Sequence, residues 1–142
     1  MSLPCFRTLT LSLAVGSLLF SGCITTQRVG TGFSQPTFLS ALPGVDSHVA
    51  VLEKGGRVQL MSLEDGGQST YLDLTSVVRS SENERGLLGV AFAPDFASSG
   101  VAFVAYTAQP DGALHVVRYE AASLDPPRGN PASAQLILRV PQ

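Results

Sequence analysis

Lysine occurs once in the 142 residues, as Lys54, and charged residues make up only 14% of the chain. The net charge is −2, so there is no basic field for nucleic acid and a polyanion is excluded as a partner. Cysteine occurs twice, as Cys5 and Cys23. Nothing after residue 23 therefore offers a disulfide or a thiolate metal site. His48 and His115 both fall inside strand-like patterns, where a lone histidine is more often a surface or satisfied core residue than a ligand; neither is assigned a catalytic role. The chain shows no base paired with an orienting group, no metal cluster and no phosphate-cradling glycine loop. Helical periodicity is nearly absent. What is abundant is apolar: 44% hydrophobic residues mark a packing sequence and not a disordered one, of a length that suits one ordinary domain.

The apolar residues are distributed in two ways. Residues 9–20, LTLSLAVGSLLF, follow Arg7 as one unbroken run. It has the length of a signal-peptide hydrophobic region and falls short of the roughly 20 residues of a spanning helix. The run ends in Leu19-Phe20-Ser21-Gly22-Cys23, which resembles a bacterial lipobox. The organisation expected is a lipoprotein signal peptide over 1–22, a polar, Gly/Thr-rich tether over 23–35 and a folded body over 36–142. Lipidation of Cys23 would then anchor the exported body stably to a membrane. Ile24 stands where an inner-membrane retention signal places Asp, so the outer membrane is the expected address in a host that has one. Plain secretion, with cleavage after Gly22 or Cys23, is the alternative.

Beyond residue 35 the apolar residues come in short β-rich runs cut by turn signals. Thr37–Leu42 ends at Pro43-Gly44. His48–Glu53 and Arg57–Ser62 flank Lys54-Gly55-Gly56, a hairpin signal because glycine reaches positive φ at no steric cost. Glu64-Asp65-Gly66-Gly67 leads into Ser69–Leu74. The same grammar returns with Gly86–Phe92, a loop from Pro94 to Gly100, Val101–Thr107, the turn Pro110-Asp111-Gly112, and Leu114–Tyr119. A Pro-rich loop over 125–133 precedes Leu136–Val140. This predicts an all-β chain made of two successive four-stranded units, as in the blades of a β-propeller. Two blades alone leave faces uncovered, so the expectation is the N-terminal part of a longer propeller. A self-contained eight-stranded sandwich is the alternative.

One stretch, ENERGLLGVAFAPDF over residues 82–96, sets three charges and an amide against a nearly unbroken apolar run. Together with the downstream VAFVAYT, PDG and ALHVVRYE and the upstream EKGGRVQLM and YLDLTSVV, it resembles the soluble quinoprotein glucose/sorbosone dehydrogenases, over about Phe38 to Val140. The resemblance implies a propeller that oxidises aldose sugars at C1 with pyrroloquinoline quinone (PQQ) and calcium. It implies that Glu84 lies at the sugar and quinone pocket, where it would bond a sugar hydroxyl or the cofactor's edge. Arg85 stands beside it, as a pocket residue or as half of a structural salt bridge. Gly86 and Gly89 would permit close backbone approach, and Leu87, Leu88, Val90 and Phe92 would pack an innermost strand. Ala93 departs from the family, which usually has histidine there, and Asp95 is expected to cap the following turn through its side chain. The family's general base, its calcium ligands and its quinone-binding arginines fall beyond Gln142, so residues 1–142 alone are expected to be inert. A non-catalytic propeller that binds protein or carbohydrate is the competing reading, because fold does not fix function.

Overall fold

In the computed structural model residues 25–142 are described, and the signal-peptide and Cys23 expectations lie outside them. Eight strands form two four-stranded antiparallel sheets. The first holds β1 (Pro36–Leu42), β2 (Val45–Glu53), β3 (Arg57–Ser62) and β4 (Gln68–Asp73); the second holds β5 (Leu87–Phe92), β6 (Val101–Thr107), β7 (Leu114–Leu124) and β8 (Pro127–Val140). Each sheet is a meander whose spatial order follows the sequence. The sheets stack face to face, β1 beside β5 and β4 beside β8. Residues 74–86 therefore carry the chain from the outer edge of the first sheet back to the inner edge of the second. That is the connection between successive propeller blades.

The core lies between the blades. Leu52, Val58, Leu60, Leu72, Leu87 and Val104 are all essentially buried. A four-residue helix, α1 (Phe96–Ser99), occupies what the sequence presents as a loop. Phe96 explains it: the ring is completely buried and packs edge-to-face on Phe92 and Tyr71, with centroids 4.8 and 6.1 Å away. Asp95 does not cap by its side chain as expected. Its backbone carbonyl accepts from the Ser98 and Ser99 amides, and its carboxylate takes only the Ser99 hydroxyl.

The expected Pro-rich loop over 125–133 is also different. β7 and β8 form one long ladder pairing Leu124 with Pro127 and Glu120 with Asn130, interrupted by three register shifts. Proline is tolerated because β8 is an edge strand of its sheet, where a missing N–H costs no ladder bond. A bulge between Leu87 and Gly89 shifts the pleat of β5. Leu87, Val90 and Phe92 are buried as expected, but Leu88 turns outward at 41% exposure. A Cβ on Gly89 would meet nothing within 4 Å among the described residues, so the close approach expected there is absent, although its backbone pairs with Ala105.

The segment before β1 lies against the first blade. The Ser34 amide donates to Glu53 Oε1 at 2.7 Å and Gln68 Nε2 to the Thr31 carbonyl at 2.5 Å. No helix among the described residues is long and apolar enough to cross a membrane.

Candidate functional site

The crossing segment 74–86 meets the far end of β6 and the turn after it. Backbone bonds lace them together: Arg79 N to Thr107 O at 2.8 Å, Gln109 N to Val77 O at 2.8 Å and Thr107 N to Gly86 O at 2.9 Å. Gln109 Nε2 adds a bond to the Val78 carbonyl at 2.9 Å. Beneath them Val78 and Ala108 are buried, so the lacing is anchored in the core. At the other end Leu87 N donates to the Lys54 carbonyl at 3.0 Å. A Cβ on Gly86 would sit 2.7 Å from that same carbonyl oxygen, which is why this position has no side chain. The charged loop is thus wedged between the β2–β3 turn of one blade and the β6–β7 turn of the next.

Within it, the charges divide into two groups. Glu82 takes Arg79 Nη2 at 2.5 Å and Nε at 3.3 Å, the Ser81 hydroxyl at 2.7 Å, and Arg85 Nη1 at 3.5 Å. The Arg79 guanidinium, aided by Ser81, holds the Glu82 carboxyl down at about 2, because these bonds favour the charged form. Arg79 Nη1 also donates to the Pro110 carbonyl at 3.2 Å. Arg85 lies over Gly112, where φ is +74° and a Cβ would stand 2.7 Å from Nη1; only glycine fits there without strain. The neighbouring Asp111 pairs with Arg139 and accepts the Ala113 amide at 3.0 Å. Those contacts, the arginine first, lower its pKa.

Glu84 belongs to the second group. It is exposed, and among the described residues its carboxylate makes no hydrogen bond or ion pair. It shares with Arg85 the wall of a cavity of about 170 Å³, completed by Leu88, Thr107, Leu114 and Gln142. The two residues singled out in the sequence are therefore brought together at one opening. Arg79, Glu82 and Gly112 were not singled out, although the i, i+3 spacing of Arg79, Glu82 and Arg85 is a visible signal of pairing. A wider opening of about 550 Å³ lies on the other side of Arg79, lined by Thr75, Ser80, Ser81 and Gln109 among others.

Neither histidine lines these openings. His48 Nδ1 bonds the Ser47 hydroxyl at 2.8 Å. His115 packs on Tyr106, its Nε2 buried without a hydrogen-bond partner among the described residues. Among the described residues no group of three or more His, Cys, Asp or Glu side chains could hold a metal ion. At this opening Arg85 offers a cation and Glu84 an acceptor, which supply a wall, not a whole site.

The family described as Glucose / Sorbosone dehydrogenase matches residues 33–137. The mouse Hedgehog-interacting protein is 33% identical over 132 residues, covering 83% of this chain and 19% of the mouse protein. The human Hedgehog-interacting protein is 31% identical over the same length. The chain thus spans about one fifth of the length of these curated relatives. A crystal structure of glucose dehydrogenase superposes with a TM-score of 0.68 at 26% identity, over 82% of this chain and 33% of that one. The PQQ-bound aldose sugar dehydrogenase of Streptomyces coelicolor shares the fold, with a TM-score of 0.65 at 24% identity over 80% of this chain and 32% of that one. The sandwich alternative falls, since both sheets superpose on blades of a larger propeller. This chain belongs to the glucose/sorbosone dehydrogenase family.

Proposed function

We propose that these residues form the first two blades of a PQQ-dependent aldose dehydrogenase, and that Glu84 lies at its substrate and cofactor pocket. The observation that carries this reading is the unpartnered Glu84 carboxylate, held at the start of the innermost strand beside Arg85. A buried or ion-paired glutamate would have its acceptor capacity spent; this one keeps it for a sugar hydroxyl. When bound, the quinone would supply the hydride acceptor. Arg85 would present positive charge to its carboxylates, and Glu84 would orient the sugar by accepting a hydroxyl hydrogen bond. The general base and the calcium ligands are expected beyond Gln142, in a segment similar to His-Asn-Gly-Gly. The complete protein, given PQQ and calcium, is expected to reduce an artificial acceptor with D-glucose as donor. Failure with every aldose tried, in a protein shown to be folded, would overturn the reading.

A second reading is a propeller that binds another protein. What favours it is the curated relatives, whose name states an interaction with Hedgehog. Quinone-dependent turnover separates the two.

We also propose export and lipid attachment at Cys23, on the strength of the apolar run ending Ser-Gly-Cys. Labelled fatty acid should enter the wild-type protein in a bacterial host and fail to enter Cys23→Ala. Retained label in that variant would refute the assignment.

A further inference from the structure

We propose that Glu82 is a positioning residue: by clamping Arg79 and Arg85 it sets the loop that presents Glu84 to ligand. The inference rests on the reading of Glu84 as a pocket residue. Three observations carry it. The clamp is anchored twice outside the loop, by Arg79 Nη1 on the Pro110 carbonyl at 3.2 Å and by Arg85 seated over Gly112. Glu82 closes the turn itself, since its backbone carbonyl accepts the Arg85 amide at 3.3 Å. Glu84 lies between these two points and, among the described residues, has no hydrogen bond or ion pair of its own to hold it. Its carboxylate can therefore have a defined place only through its neighbours. A single carboxylate facing two guanidiniums also leaves net positive charge beside Glu84.

A positioning role differs from a merely structural one in being spent entirely through Glu84. The test is a double-mutant cycle on the complete protein, with Glu82→Ala, Glu84→Ala and the double variant. Two quantities are read: kcat/KM for D-glucose with PQQ and calcium saturating, and the Kd of D-glucose by calorimetry on the quinone-free protein. Melting temperatures check folding, and Glu82→Gln replaces the alanine variant if that fails to fold. Glu82→Ala should lower kcat/KM and weaken glucose binding about tenfold, since misplacing a group by about 1 Å costs up to about 100-fold. In the Glu84→Ala background the same change should have less than about a twofold effect. Equal losses in both backgrounds, or no loss while Glu84 is present, would overturn the positioning role and leave the reading of Glu84 intact. No change on Glu84→Ala alone would instead remove that reading, and the positioning role with it.

Discussion

Glu82 and Glu84 are two residues apart and do different things, because one meets guanidiniums and the other meets solvent. The distinction has a pH signature. Glu82 titrates ordinarily near 4.5 and is held at about 2 in the fold. A depressed carboxyl contributes stability that is full above its unfolded value and is lost as pH falls toward its folded one. The stability difference between wild type and Glu82→Gln should accordingly be flat above about pH 4.5 and shrink between there and pH 2. Urea unfolding of the complete protein at several pH values checks this, and a difference independent of pH would contradict the ion-pair geometry. Gly112 gives a second prediction. Alanine there must adopt φ +74° and displace Arg85, at a cost of about 1–2 kcal/mol for the backbone alone. The Tm of Gly112→Ala checks it. Glu84 and Arg85 stand out in the sequence because they sit inside a recognisable motif. The Glu82 pairings are harder to read, because the i, i+3 spacing of Arg79, Glu82 and Arg85, though visible, implies contact on a helix and not in a loop, and Arg79 lies outside the motif.

At the scale of elements, the short helix α1 exists to deliver one ring. Phe96, Phe92 and Tyr71 form a cluster of edge-to-face pairs between the blades, with Tyr71 and Phe92 centroids 5.7 Å apart. Phe96→Ala should cost about 3–5 kcal/mol, as large-to-small changes at buried aromatics do. A loss below about 1 kcal/mol in denaturant unfolding would show that the ring is not a core residue. Tyr71 behaves oppositely. Burial pushes its hydroxyl up to about 12, and among the described residues the oxygen has no hydrogen-bond partner. Removing an unsatisfied buried hydroxyl is neutral or favourable, so Tyr71→Phe should unfold no earlier than wild type; a clear loss of stability would reveal a partner for the hydroxyl. Strand count and order were legible from turn residues, because Gly-Gly, Asp-Gly-Gly and Pro-Asp-Gly each close a hairpin by local chemistry. The length of the β7–β8 ladder was not legible. Its prolines read as a loop until the edge position of β8 is known.

At the largest scale, the described residues form two blades that leave apolar surface uncovered. Phe38 and Leu39 on the first, and Leu136, Ile137 and Leu138 on the second, are each about half exposed. Gly89, Ala91, Phe103, Ala105 and Val116 line a shallow apolar cavity of about 250 Å³ on the outer side of the second sheet. The alternation that made these strands readable does not say which neighbour covers them, since a face buried by a later blade and one left to solvent differ only in composition. Expressed alone, residues 25–142 should therefore bind a hydrophobic dye and melt without a sharp transition; a cooperative melt of a monomer would argue that two blades suffice.

The central claim is that the charged loop before β5 serves ligand through Glu84, and steady-state kinetics of Glu84→Ala in the complete protein tests it most directly. A desolvated hydrogen bond to a charged acceptor is worth about 1.5–3 kcal/mol, so kcat/KM on aldoses should fall roughly ten- to hundredfold. The fall appears in kcat if the bond strengthens in the transition state and in KM alone if it does not. An unchanged kcat/KM on every sugar, with PQQ and calcium saturating, would leave Glu84 an ordinary surface residue and contradict the account.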